Sequence, residues 1–110
     1  MMPPGNVDIG WQMDIQDMQV QAGQAVNLLK ALANQSRLMI LCHLLQNELS
    51  VGELNALLPL SQSALSQHLA VLRRDGLVST RKEAQTVYYS LDSHEVRTLI
   101  ATLHSLYCQA

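Results

Sequence analysis

The stretch that most constrains the fold of this chain runs from Ser61 to Asp75 and is closed by Gly76. On a helix of about 100° per residue, its polar side chains gather within one arc of roughly 140°. This outward face consists of Gln62, Ser63, Ser66, Gln67, Ala70, Arg73 and Arg74. The opposite, apolar side consists of Ala64, Leu65, Leu69, Val71 and Leu72, with His68 among them. Such a helix packs one face on a core and presents the other to solvent or to a partner.

The chemistry of the outward face favours a nucleic-acid partner. Its carboxamides, hydroxyls and guanidiniums are the groups that read base edges and hold phosphates in a major groove. An ordinary surface helix is the alternative, but such helices usually mix Glu with Lys, and this face contains neither. The pattern therefore predicts a DNA-recognition helix.

Charge is distributed unevenly along the 110 residues, which are enough for one domain with a modest core. The net charge is −2. Residues 59–91 nevertheless carry four basic and two acidic side chains, a net of +2. Residues 1–58 sum to −3 and residues 92–110 to −1. Positive charge is thus concentrated around the amphipathic helix and the segment that follows it.

Helical periodicity and capping signals predict four helices up to Gly76. Apolar residues recur at helical spacing from about Ile15 to Leu32, and Asn34 is a good N-cap for a second helix ending at Gln46. Ser50 and Glu53 form a capping box that opens a short third helix ending at Leu58. The dipeptide Pro59-Leu60 breaks that helix, and Ser61 caps the next.

The period then changes to that of strands. Residues 77–82 and 86–91 are rich in β-branched and aromatic side chains, with a turn at residues 83–85. Residues 92–95 are predicted to form a second capping box, with Asp92 as N-cap, that starts a last helix ending near Cys108. The predicted fold is mainly α with a β-hairpin wing: a winged helix-turn-helix of order α-α-α-α-β-β-α.

This organisation predicts a DNA-binding surface made of the recognition helix and the wing. A hairpin in this place can reach the DNA backbone or minor groove, and it carries three suitable side chains at or near its tip. The predicted DNA-binding residues are Gln62, Ser63, Ser66, Gln67, Arg73, Arg74, Arg81, Lys82 and Gln85. Residues 1–14 are predicted to be a flexible tail, and residues 15–110 to be the DNA-binding and dimerisation domain.

Other functional classes find little support in the residues. There is no Gly-rich phosphate loop or nucleophile elbow, so we expect neither an enzyme nor a cofactor. A peroxidase using Cys108 and His104, and a module that binds a partner other than DNA, are the remaining alternatives. No apolar run of membrane-spanning length and no secretory signal is found, so we expect a cytoplasmic protein with free thiols.

Residues 32–91 resemble the ArsR/SmtB family of dimeric bacterial transcription regulators. The resemblance is carried in order, and at the family's spacing, by five segments: residues 33–38 (ANQSRL), 48–54 (ELSVGEL), 60–69 (LSQSALSQHL), 72–78 (LRRDGLV) and 87–89 (VYY). It implies a homodimer paired through the first and last helices. Two recognition helices about 34 Å apart would then meet a palindromic operator in double-stranded DNA.

Metals are the ligands that this family implies first, and they provide the alternative function. The helix-turn-helix metal site of the family uses cysteines where this chain has residues 50–52 (SVG), so that site is absent. A metal-sensing repressor would instead use a last-helix site around Asp92, His94, His104 and Cys108. Its second pair of ligand positions holds Ser105 and Cys108, with His104 out of register, so we predict no metal site.

The two cysteines provide the main hypothesis for sensing. From the residues alone, Cys42 is a small side chain at the core's edge and Cys108 a terminal bystander, although His104 one turn earlier can stabilise a Cys108 thiolate. Within the family, however, the chain is similar to the HlyU and BigR/SqrR group of thiol-based sensors. That resemblance implies that Cys42 and Cys108 are a redox switch, oxidised or persulfidated by reactive sulfur species or other oxidants.

Overall fold

Residues 13–108 of the protein are described in a computed structural model. Its elements, in chain order, are α1 (Ile15–Leu32), α2 (Gln35–Gln46), β1 (Leu49–Ser50), α3 (Val51–Leu57), α4 (Gln62–Arg74), β2 (Val78–Glu83), β3 (Thr86–Leu91) and α5 (His94–Tyr107). The predicted winged helix-turn-helix is therefore confirmed, with one short strand in addition. Of the predicted tail, residues 1–12 lie outside the described residues. No helix within residues 13–108 is long and apolar enough to cross a membrane.

Three of the predicted helix caps are present as hydrogen bonds. Asn34 accepts the Arg37 backbone N–H at 2.9 Å, and Ser61 accepts that of Ala64 at 3.1 Å. The Ser50–Glu53 capping box is reciprocal, with contacts of 3.1 and 2.8 Å. Each cap satisfies amides that the first turn of a helix leaves without partners, and this fixes where α2, α3 and α4 begin.

The predicted N-cap of the last helix was wrong by one residue. The hydroxyl of Ser93, not the carboxylate of Asp92, accepts the backbone N–H of Val96 at 3.1 Å. Asp92 instead donates its own backbone N–H to the carbonyl of Leu77 at 2.9 Å, which ties the end of β3 to the start of β2. This long-range hydrogen bond keeps Asp92 with the sheet and moves the cap to the next residue.

The wing is a three-stranded antiparallel sheet in the order β1-β3-β2. Leu49 pairs with Tyr89 across β1 and β3, a contact that the sequence did not predict because two residues are too few for a strand period. The first strand of the hairpin runs over residues 78–83 rather than 77–82, since Glu83 still pairs with Thr86. The turn is therefore only Ala84 and Gln85, and Ala84 has a φ of +56°.

One apolar core holds the helices and the sheet together. The predicted inward face of α4 is confirmed, because Leu65, Leu69 and Leu72 are at most 1% exposed. They belong to the same core as Ile40 and Leu41 of α2, together with residues of α3, both hairpin strands and α5. Packing on this core directs the polar face of α4 outward.

The apolar stripes of α1 and α5 divide between this core and the surface. Val96 and Ile100 of α5 are buried, whereas Leu106 and Tyr107 at its end are 69% and 81% exposed. On α1 the buried residues are at the C-terminal end, and the exposed apolar side chains are Ile15, Met18, Val20, Val26 and Leu29. Both helices thus expose apolar side chains that this core does not cover.

Replacing Ala84 by glycine should stabilise the protein. A left-handed backbone costs an L-residue about 1–2 kcal/mol, and glycine avoids this cost. Glycine also loses more conformational entropy on folding, which offsets part of the stabilisation. We therefore expect the free energy of unfolding to rise by about 0.5–1 kcal/mol. Urea unfolding at fixed protein concentration measures the difference. Ala70→Gly, in the exposed interior of α4, is the control and should lose about 1 kcal/mol. A destabilised Ala84→Gly variant would contradict the strain in this turn.

Candidate nucleic-acid interface

Helix α4 presents its predicted polar face to solvent. Every predicted member of that face is exposed, and His68, predicted to point inward, is half-buried. The turn before α4 is held by Asn55 of α3, whose side-chain amide donates to the carbonyl of Leu60 at 2.8 Å. Buried Leu58 anchors the same turn from below. This hydrogen bond and the burial of Leu58 hold the corner between α3 and α4 and set the direction in which α4 protrudes.

The basic end of α4 is exposed to solvent. Arg73 and Arg74 are both exposed in its last turn, and Arg74 pairs with the neighbouring Asp75 at 3.2 Å. A surface pair of this kind contributes little and leaves the guanidinium accessible. Gly76 follows the helix end, as predicted, and has a φ of +75° where the chain turns into β2.

The wing brings two of its predicted side chains close to its tip and engages the third in an ion pair. Lys82 and Gln85 are exposed at the last pairs and the turn of the hairpin. Arg81 is also exposed, but it contacts Glu48 through three hydrogen bonds of 2.8–3.0 Å and Glu83 through one of 2.9 Å. Its guanidinium also lies 4.7 Å from the centre of the Tyr88 ring.

The ion pair perturbs both of its partners. The hydrogen bonds from Arg81 lower the pKa of the Glu48 carboxyl, and the hydroxyl of Ser90 adds to this by donating to Glu48 at 3.1 Å. The hydrogen bonds to Glu48 and then to Glu83 raise the pKa of Arg81. Sequence reasoning missed Glu48, because it precedes β1 and lies 33 residues from Arg81 along the chain.

The two predicted redox cysteines differ in environment. Cys42 lies on α2, half-buried against the apolar core, and Cys108 is exposed at the C-cap of α5. Burial raises the pKa of the Cys42 thiol, and a smaller contribution comes from the charge of Cys108. The helices that carry these two thiols, α2 and α5, contact each other, although the cysteines are far apart in sequence.

The alternative metal site is not assembled within one chain. Asp92 and His94 lie at the start of α5 and His104 and Cys108 at its end, about 15 Å further along the helix axis. Within residues 13–108 no three His, Cys, Asp or Glu side chains come together as a metal-binding group.

Comparison with known proteins identifies the family. Residues 34–80 match the family of bacterial regulatory proteins named arsR. The transcriptional activator HlyU of Vibrio cholerae is 66% identical over 101 residues, which cover 92% of this chain and 94% of HlyU. The chain is a member of the ArsR family. It is therefore a transcriptional regulator with a DNA-binding helix-turn-helix domain and not an enzyme.

Solved structures agree with this ArsR-family assignment. Reduced HlyU from Vibrio cholerae superposes with a TM-score of 0.79 at 68% identity, covering 86% of this chain and 99% of that one. The transcriptional repressor BigR from Xylella fastidiosa gives a TM-score of 0.83 at 38% identity, covering 89% and 100% of the respective chains. The resemblance inferred from the sequence is thus confirmed.

The pKa of Cys42 predicts a measurable difference in thiol reactivity. Since the thiolate is the reactive form and burial raises the pKa, Cys42 should be alkylated by iodoacetamide only at higher pH than an ordinary cysteine, whose pKa is about 8.5. Quenched alkylation followed by mass spectrometry between pH 6 and 10 measures the midpoint. Cys108→Ser should lower the Cys42 midpoint only in part, because burial is the larger cause. A midpoint of Cys42 below the ordinary value would contradict this environment.

Proposed function

We propose that this ArsR-family regulator binds a palindromic operator as a homodimer and that oxidation of Cys42 and Cys108 weakens this binding. The observation that carries DNA recognition is the exposed, acid-free face of α4, which follows a helix-turn-helix corner held by the Asn55–Leu60 hydrogen bond. Gln62, Ser63, Ser66 and Gln67 form its N-terminal half, the part that enters a major groove in helix-turn-helix proteins. Arg73, Arg74 and the wing supply contacts to the backbone.

A second copy of this chain is proposed to cover the apolar side chains that α1 and α5 expose. Leu29 of α1 and Leu99 of α5 line an apolar groove between the two helices, within the part of the chain that the structure describes. Exposed side chains such as Met18 and Leu106 extend the apolar surface from this groove. A twofold pair through these helices repeats the same patch on both sides and places two α4 helices for two half-sites of one operator.

Replacing Gln62 and Ser66 together by alanine should abolish sequence-specific binding and leave the dimer intact. Both side chains are exposed on the face that would read base edges, so their loss removes hydrogen bonds worth about 1–3 kcal/mol each. The measurement is an electrophoretic shift with the duplex that the wild-type protein selects from a random-sequence library, at stated salt. Analytical ultracentrifugation monitors the dimer. Retained specific binding by the double variant would overturn the assignment of α4.

Thiol switching is supported by the placement of the two cysteines and by a relative. The exposed Cys108 is the thiol that an oxidised sulfur donor reaches first, and α2, which carries Cys42, contacts α5, which ends at Cys108. One of the superposing structures is of reduced HlyU from Vibrio cholerae, which is 68% identical to this chain. A bridge between α2 and α5 would connect a core helix to the proposed dimer helix.

The chemistry of the proposed switch balances with a low-molecular-weight persulfide, RSSH. The Cys108 thiolate attacks the outer sulfur, giving a Cys108 persulfide and RSH. The Cys42 thiolate then attacks the inner sulfur of the Cys108 persulfide, which is Cys108 Sγ, and expels hydrogen sulfide. A Cys42–Cys108 disulfide remains. Two thiols are oxidised by two electrons and the persulfide is reduced to RSH and H₂S. A trisulfide forms instead when a second RSSH first transfers its outer sulfur to the Cys108 persulfide and leaves as RSH, and the Cys42 thiolate then attacks the middle sulfur and expels hydrogen sulfide.

Treatment with a persulfide should link Cys42 to Cys108 and lower operator affinity. A coupling of about 1–3 kcal/mol corresponds to a 5- to 150-fold change. Fluorescence anisotropy on the selected duplex measures affinity, and mass spectrometry of the same samples measures the link. The controls are Cys42→Ser and Cys108→Ser, which should bind DNA when untreated and lose the response. A fall in affinity with both thiols unmodified would exclude this mechanism.

A further inference from the structure

A salt bridge crosses the outer face of the three-stranded wing sheet. Arg81 of β2 stands opposite Tyr88 of β3, so the two side chains share one face. On the other side of β3, the pairing of Leu49 with Tyr89 brings the preceding residue, Glu48, beside Ser90 on that same face. Arg81 and Glu48 therefore lie near opposite edges of the sheet and meet over the central strand.

All three guanidinium nitrogens of Arg81 are engaged in this arrangement. Its Nε contacts both carboxylate oxygens of Glu48, and its Nη2 donates to Glu48 Oε1 at 2.8 Å. Its Nη1 donates to Glu83 at 2.9 Å. The hydroxyl of Ser90 holds Glu48 from below, and the ring of Tyr88 lies under the guanidinium. A fork-shaped pair of this kind specifies geometry more strongly than a single contact does.

The local charge also opposes a phosphate contact by Arg81. One guanidinium faces two carboxylates, Glu48 and Glu83, so the group carries a net charge of −1. Lys82 alternates to the other face of β2, opposite Val87, and makes no ion pair within residues 13–108. The wing thus separates a cation engaged within the sheet from one that is available to a phosphate.

We propose that Arg81 is a positioning residue that Glu48 holds in place, and that Lys82 and Gln85 make the wing's contacts with DNA. This inference rests on the proposed DNA-binding function and assigns its parts within the wing. Glu48 lies outside both the helix-turn-helix and the hairpin, directly before β1, so in this proposal it ties the hairpin to the strand that leads into α3.

The variant Glu48→Gln separates the two roles by the sign of its effect. If Arg81 touched phosphate, removal of Glu48's charge would free the guanidinium and reduce repulsion, so DNA would bind more tightly. If Arg81 positions the wing, the weakened Arg81–Glu48 salt bridge loosens the hairpin, and DNA binds about fivefold more weakly. The probe is the fluorescein-labelled duplex selected by the wild-type protein, titrated at several salt concentrations.

Glu83→Gln is the matched control, since it removes the same charge from the same guanidinium but only one hydrogen bond. It should not weaken binding. Lys82→Met should reduce the slope of log affinity against log salt by about 1, as expected for one lost phosphate contact, whereas Glu48→Gln should leave the slope unchanged. Amide hydrogen exchange in β2 and β3 should increase in Glu48→Gln and not in Lys82→Met.

Arg81→Lys provides a second test that does not depend on Glu48. It keeps the charge and loses the fork, so a positioning role predicts weaker binding at unchanged slope, whereas a phosphate contact predicts nearly unchanged binding. Tighter binding by Glu48→Gln, or a reduced slope in Arg81→Met equal to that of Lys82→Met, would overturn the proposal. If the wild-type protein selected no duplex at all, the proposed DNA-binding function itself would fail. That outcome differs from the results above, which would overturn only the role assigned to Arg81.

Discussion

The burial of one face of α4 is the constraint on which the rest of the structure depends. Leu65, Leu69 and Leu72 are almost completely removed from solvent, and each such side chain contributes about 1.5–3 kcal/mol on burial. Because these three residues fix the rotation of the helix about its axis, the polar residues between them face outward. The same packing that stabilises the fold thus creates the surface that is proposed to read DNA.

Features that depend on neighbouring residues could be predicted from the sequence. The caps at Asn34, Ser50 and Ser61 and the left-handed Gly76 act within one or two turns, so the local pattern was sufficient to place the helices. Ser93 shows the limit, because Asp92 and Ser93 are equally good caps. The choice between them is made by a hydrogen bond from Asp92 to Leu77, which only the folded hairpin supplies.

The candidate DNA interface also has one part that local sequence predicts and one part that depends on the fold. The face of α4 follows from a helical wheel, and its members are exposed as the wheel requires. The wing does not follow from so simple a rule, since Arg81 and Lys82 look alike in the sequence and differ in the structure. What distinguishes them is Glu48, 33 residues away from Arg81, which reaches it only because β1 joins the sheet. A count of basic residues therefore overstates the charge that this wing offers to DNA.

Helix α2 is the element that the proposed sensor and the proposed DNA interface share. It carries Cys42 on its half-buried side and contacts α1, α4, α5 and β3. Directly after its C-cap, Asn47, the chain reaches Glu48, which forms the salt bridge to Arg81 of the wing. Protein interiors are close-packed and transmit displacement, so a bond that pulled α2 toward α5 would act on the support of α4 and on the anchor of the wing together. Under the proposed switch, one covalent link could therefore alter both DNA contacts without any change in the residues that touch DNA.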